Sequence, residues 1–208
     1  MQAVILTAGR GDRLRPVTDR VPKSLIPFWG KPFLAYIFDS LVGLVDEAVV
    51  VVAADECVQR TFGDSWRGLS LRYVVQPDPG GTGDALLHAR DILDERFLVL
   101  LGDTLAPPET LQAVLERQGD AVLTLIEVDD PHNHSRVGIH NGLVVDNPWV
   151  DNSNLVDAGI TLLPRIICDY LEQLPPRGAE LRLLQGVEAL LEDGLEVRAV
   201  KMPGPWLQ

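Results

Sequence analysis

Cysteine, lysine and long apolar runs are all scarce in this 208-residue chain. Two cysteines, Cys57 and Cys168, are too few for a disulfide framework or a thiolate metal site. Both are expected as buried free thiols in a reducing compartment. No apolar run approaches the ~18 residues of a membrane-spanning helix. The opening apolar run, Ala3 to Leu6, is too short for a secretory signal, and no charged segment precedes it. A cytoplasmic protein is therefore expected, with no membrane partner. The formal net charge is −12, so the broad basic face that nucleic acid requires is missing too. Repeats, low-complexity tracts and clear linkers are absent. What is present is a 46% share of hydrophobic residues, enough for a sizeable core. Residues 1–208 are expected to form one domain.

The apolar pattern predicts strands over 2–7, 48–52, 71–75, 97–101 and 121–128. Helical spacing predicts helices opening at Lys31-Pro32, at Asp55 (a candidate N-cap), after Gly83, and over 108–118. Ala48-Val49-Val50-Val51-Val52 is a continuous run, as in a parallel strand buried on both faces. Strand and helix thus alternate through the first half. This pattern predicts an α/β fold: a doubly wound, mostly parallel mixed sheet with helices on both faces. The second half differs. Arg136 to His140, the turn pair Asn141-Gly142, and Leu143 to Val145 read as a β-hairpin. A strand over 155–163, helices over 165–174 and 180–193, and a strand over 195–200 complete the expectation. Trp29, Trp66, Trp149 and Trp206 follow no helical stripe and are expected as packing residues. His132 and His134 lie in a polar loop without an evident third ligand, so an exposed loop is favoured over a metal site.

In such sheets ligands bind beyond the carboxyl ends of the strands. Three polar clusters fall there: Gly9 to Lys23, Gln76 to Gly83, and Gly102-Asp103. The first is the most informative. Residues 10–23 carry four arginines and one of the chain's three lysines against two aspartates, a local net of +3 on an otherwise acidic protein. A positive loop after a first strand suits an anionic small ligand, phosphate above all. It is not a Walker A loop, because Pro22 precedes Lys23 and the spaced glycines are missing. It is not a dinucleotide fingerprint either, because Leu14 stands where the third glycine belongs. What remains is Gly9-x-Gly11-x-Arg13-Leu14-x-Pro16-x-Thr18, then Pro22-Lys23. Free glycine backbone can approach phosphate, an arginine can fork two oxygens, and a lysine adds a movable charge.

This stretch resembles the signature of the sugar-1-phosphate nucleotidylyltransferases, and the likeness runs along nearly the whole chain. Gln76-Pro77 through Gly80-Gly81-Thr82-Gly83-Asp84-Ala85 looks like the family's nucleobase loop. Leu101-Gly102-Asp103 looks like its metal motif. Arg136-Val137-Gly138 and Asp157-Ala158-Gly159 look like its sugar-pocket segments, in a region spanning about 130–163. The resemblance implies a Rossmann-like nucleotidyltransferase fold and transfer from a nucleoside triphosphate to a sugar 1-phosphate, releasing pyrophosphate. It implies Arg13 and Lys23 as catalytic residues. Ala8, Gly9, Gly11, Gln76, Gly81 and Thr82 would bind the nucleotide, and Gly138, Asp157 and Gly159 the sugar. Asp103 would hold Mg²⁺. Gln76 with Gly81 leans towards a pyrimidine, UTP or dTTP. A homodimer is expected by analogy. Taken alone, Asp103 also reads as a turn or N-cap residue, and Thr82 as the N-cap of the following helix.

Two departures stand out. Asp146-Asn147-Pro148 replaces the family's Glu-Lys-Pro, removing a sugar-phosphate lysine, and Asp157 stands where asparagine is usual. The family's late metal-binding aspartate is also missing. The sequence ends at Gln208, near its expected place, so either the chain is truncated there or the ligand is lost or replaced, with Asp157 a candidate. Two other readings stay open: a catalytically silent nucleotide-sugar-binding or regulatory homologue, and a CTP-dependent cytidylyltransferase.

Overall fold

A computed structural model describes residues 1–145 and 154–202. The chain opens with β1 (Gln2–Leu6), then a long loop and a small hairpin, β2 (Pro27–Phe28) and β3 (Lys31–Pro32). Next come α1 (Phe33–Leu41), β4 (Glu47–Val52), α2 (Cys57–Phe62), β5 (Ser65–Trp66) and β6 (Leu69–Val75). They are followed by α3 (Thr82–Ala89), β7 (Arg96–Leu101), α4 (Pro108–Glu116) and β8 (Ala121–Glu127). The hairpin β9 (Gly138–His140) and β10 (Leu143–Val145), then β11 (Leu155–Pro164), α5 (Ile167–Gln173), α6 (Leu183–Glu192) and β12 (Val197–Lys201) complete the chain.

The main sheet has ten strands in the order β5-β6-β4-β1-β7-β11-β8-β12-β10-β9. β5, β10 and β11 run against the other seven. The central strands owe their apolar runs to burial on both sides. Along β4, Ala48, Val50 and Val52 enter one core, while Val49 and Val51 enter the other. β1 divides likewise, with Ala3 and Ile5 on one side and Val4 and Leu6 on the other. The first core is closed by α1, α2 and α4, through residues such as Phe38, Phe62 and Leu111. The second is closed by α3, α5 and α6, through Leu86, Leu171 and Val187. This is the doubly wound arrangement the alternation predicts. No helix among the described residues is long and apolar enough to cross a membrane.

Details differ from the pattern. β11 inserts antiparallel between β7 and β8. A strand buried on both faces reads the same in either direction, so its orientation is not encoded in its own apolar run. The Asn141-Gly142 turn forms with both residues at positive φ, 52° and 77°, as a two-residue hairpin turn requires. That hairpin forms the outer edge of the sheet, through β12. Asp55 is not the N-cap of α2: Glu56 holds that position at a positive φ of 54° without a side-chain cap bond, and the Asp55 carboxylate, one residue earlier, accepts from the Cys57 N–H at 3.1 Å. Thr82 does not cap α3. Gly81 occupies the N-cap, and the Thr82 hydroxyl accepts from the Leu183 N–H at 2.9 Å.

Two burial expectations are corrected. Cys57 is exposed, because it opens α2 on the helix side facing water; Cys168 is buried as expected. Trp29 is 89% exposed, at the tip of the β2–β3 hairpin with its ring stacked on Phe28. Trp66 does pack, edge-on to Phe62. Trp149 and Trp206 lie outside the described residues.

β7 closes tightly on β1 at its carboxyl end. The Gly102 N–H donates to the Leu6 carbonyl at 2.9 Å. A Cβ on Gly102 would stand 2.8 Å from that carbonyl oxygen and 2.7 Å from Thr7 Cγ2. Gly102→Ala is therefore expected to destabilise the fold by about 1–3 kcal/mol, read as a lower Tm in thermal unfolding.

Candidate active site

The loop after β1 folds as three short 3-10 turns: Asp12–Leu14, Val17–Asp19 and Lys23–Leu25. The Leu14 N–H and the Thr18 hydroxyl both donate to the Gly11 carbonyl, at 2.9 and 3.0 Å, holding the first two turns together. Arg15 bridges Asp12 at 2.7 Å and Asp19 at 3.4 Å. Its single positive charge is shared between the two acids of the loop. Arg10, Arg13 and Arg20 are exposed and have no acidic partner among the described residues. This tying role of Arg15 is not among the roles expected from the motif. The i−3 and i+4 spacing of the two aspartates was the available signal.

Lys23 reaches across to β7. Its Nζ forms an ion pair with Asp103 Oδ2, both side chains being about three-quarters buried. Residues expected to handle phosphate and metal thus meet directly, although 80 positions separate them. Ala8 is 7% exposed at the foot of the loop, below the Thr7 N–H bond to the Val51 carbonyl at 2.8 Å. Gly9 has open space where a side chain would stand.

Gln76 extends the β6 ladder, its N–H donating to the Val52 carbonyl at 2.9 Å, and is 3% exposed. Its Nε2 donates to Asp84 Oδ2 at 2.5 Å and to the Gly81 carbonyl at 3.3 Å. An amide nitrogen has two hydrogens, so both are committed. The remaining polar atom of the side chain, Oε1, is an acceptor. Gly81 has φ 105°, and a Cβ there would lie 2.4 Å from the Leu181 carbonyl oxygen. That close approach belongs to a brace: the Leu181 N–H donates to Gly80 at 2.7 Å, and the Gly83 N–H to Leu181 at 2.8 Å. Residues 180–183 carry no motif, so only the folded chain reveals them as the support of the Gly80–Gly83 loop.

The start of β11 shares this edge, because Ile160 pairs with Leu100 in antiparallel register. Pairing with β8 slips between Asp157 and Thr161, a bulge in which Asp157 Oδ1 accepts from the Gly159 N–H at 3.0 Å. The Asp157 N–H donates to the Ser135 carbonyl at 3.0 Å, drawing the segment before Gly138 alongside. Gly138 itself is buried at the start of β9; no hydrogen bond among the described residues joins it to the loop after β1. Burial pushes the Asp157 carboxyl up to about 6. Residues 146–148 and 208, where the departures fall, lie outside the described residues. A surface hollow of about 480 Å³ between α5 and α6, lined by residues such as Asp169 and Glu192, holds none of these side chains.

The edge formed by β1, β6, β7 and β11 thus gathers a cationic loop, a lysine–aspartate pair, an oriented amide and the half-buried Asp157 carboxyl. The fold is that of the sugar-1-phosphate nucleotidylyltransferases. The chain belongs to the nucleotidyl transferase family, which residues 2–207 match. A UTP–glucose-1-phosphate uridylyltransferase, AglF, from Haloferax volcanii is 34% identical over 219 residues, covering 98% of this chain and 89% of the relative. The bifunctional protein GlmU of Methanocaldococcus jannaschii is 32% identical over 213 residues. The match covers 99% of this chain, which spans about half (50%) of that relative's length. Among solved structures, the inositol-1-phosphate CTP transferase of T. maritima superposes with a TM-score of 0.85 at 23% identity, over 99% of this chain and 87% of that one. A UDP-glucose pyrophosphorylase bound to UDP-glucose gives 0.83 at 18%, over 99% and 91%. At these identities the two structures speak for the fold alone.

The raised Asp157 value has a stability consequence. The folded state holds this proton more tightly than the unfolded chain, whose value is 3.8. Stability from this group is therefore full below pH 3.8 and falls as pH rises towards about 6. Asp157→Asn keeps an oxygen for the Gly159 N–H and carries no charge. Its Tm relative to the parent protein is expected to be higher at about pH 8 than at about pH 4. Thermal unfolding at the two pH values checks this.

Proposed function

We propose that this chain transfers a nucleotidyl group from UTP or dTTP to a sugar 1-phosphate. A phosphate oxygen of the sugar 1-phosphate attacks the α-phosphorus. A new P–O bond forms, the bond between the α-phosphorus and its bridging oxygen breaks, and pyrophosphate leaves with that oxygen. Such chemistry asks the protein for positioning and charge stabilisation rather than covalent help. Arg13, exposed and without an acidic partner among the described residues, meets the departing β- and γ-phosphates. Lys23 meets the α-phosphate and the incoming sugar phosphate.

The observation that carries the reading is the contact of Lys23 with Asp103, where the loop after β1 meets the end of β7. Among the described residues, no group of three or more His, Cys, Asp or Glu is gathered for a metal. Mg²⁺ is commonly held by one or two carboxylates together with substrate phosphates. Asp103 therefore fits a Mg²⁺ that arrives with the nucleotide. When bound, that ion neutralises phosphate charge. Asp103 would hold that ion, and Lys23, the ion-pair partner of that aspartate, would supply a positive charge to the phosphates.

The base preference follows from Gln76. With both amide hydrogens committed, its carbonyl oxygen is the group left to read a base. Uracil and thymine carry a ring N–H that donates to such an oxygen; cytosine presents an unprotonated nitrogen there. This favours UTP and dTTP over CTP. The Haloferax volcanii relative, a UTP–glucose-1-phosphate uridylyltransferase, makes UTP with glucose 1-phosphate the first pair to try.

Pyrophosphate release is measured with Mg²⁺, each nucleoside triphosphate and a panel of sugar 1-phosphates. One productive pair with UTP or dTTP is expected. Release only with CTP, or silence across the panel with calorimetric binding of a nucleotide sugar, overturns the reading. On the productive pair, Arg13→Ala and Lys23→Ala are each expected to lower turnover ~100-fold or more with Tm preserved. Full activity in both variants removes the assigned roles.

A further inference from the structure

We propose that Asp84 determines which base the site accepts, by fixing the orientation of the Gln76 side chain. The proposal rests on the reading of Gln76 as the base reader. It names the residue that gives that amide its polarity.

A glutamine amide has nearly the same shape either way round but opposite hydrogen-bonding character at its two ends. Rotated by half a turn, Gln76 would offer N–H where it now offers a carbonyl oxygen. It would then suit the unprotonated ring nitrogen of cytosine rather than the N–H of uracil. Gln76 alone therefore does not discriminate between the two bases. A neighbour must forbid one orientation.

Asp84 has the required chemistry. An ionised carboxylate only accepts, so the amide end facing it must be Nε2, and the contact is 2.5 Å. The half-turned amide would set two acceptor oxygens against each other with no hydrogen between them. Gln76 is 3% exposed, so no water shell relieves that clash. The second amide hydrogen is taken by the Gly81 carbonyl at 3.3 Å, which acts in the same sense. Asp84 lies in the first turn of α3, where the helix amides favour negative charge. His88, one turn on, stands 3.7 Å from the same carboxylate oxygen. The missing side chain at residue 80 admits the carboxylate, since a Cβ there would lie 2.6 Å from Asp84 Oδ2. Asp84 need not touch the nucleotide. It acts as a positioning residue through Gln76.

The test compares UTP with CTP, by calorimetric binding with Mg²⁺ and by kcat/KM on the productive sugar 1-phosphate. It uses the parent protein, Asp84→Asn, Asp84→Ser and Gln76→Leu. Asparagine and serine can each donate or accept, so the strongest bar to the half-turned amide is removed and only the longer 3.3 Å bond to the Gly81 carbonyl still opposes it. The UTP-over-CTP preference is expected to fall ~10-fold in both Asp84 variants. The KM for the sugar 1-phosphate is expected to stay unchanged. A merely structural role would lower Tm or affect both nucleotides equally, leaving the ratio intact. If Gln76→Leu abolishes the preference while both Asp84 variants keep it, Gln76 reads the base unaided and the proposal is overturned. If Gln76→Leu keeps the preference as well, the reading of Gln76 itself is overturned.

Discussion

β1 has no exposed face. All five of its residues are buried, it is flanked by parallel β4 and β7, and its side chains feed both cores alternately. A chain leaving such a strand has one way out, over the carboxyl edge of the sheet. The loop that follows therefore lies at the edge where ligands bind in open α/β sheets. The placement of Arg13 and Lys23 follows from the burial of Ala3 to Leu6 before any specific contact is considered. β7 emerges beside it under the same constraint, and Gly102 lets the two ends close to backbone contact.

Charge is arranged with equal economy at that edge. The aspartates inside the basic loop would blunt its field, and Arg15 binds both of them. The remaining arginines stay solvated and directed outward, while Lys23 is matched by Asp103 from another strand. The pair links the loop after β1 to the end of β7.

Much of this was legible in the sequence where a residue type is forced by its own surroundings. The valines of β4 announce burial on two faces. Asn141-Gly142 announces a turn with positive φ. The glycines and cations after β1 announce an anion. What stayed hidden depends on which segments meet. The direction of β11, the brace at residues 180–183 and the grip of Asp84 on Gln76 arise from register and proximity, which no local pattern carries. Trp29 and Cys57 mislead for a related reason. Their residue types favour burial, but a hairpin tip and the outer start of a helix override that preference.

The brace between the glycine loop and the segment before α6 also bears on how this chain can diverge. Gly81 approaches the Leu181 backbone so closely that neither side has slack, and Thr82 is tied to Leu183. Residues 80–83 and 180–183 are in effect one inherited unit, written in two places about a hundred positions apart. A change of loop shape in one must be answered in the other, so the two stretches are expected to co-vary across lineages. A chimera with its crossover between them would inherit two halves that no longer fit.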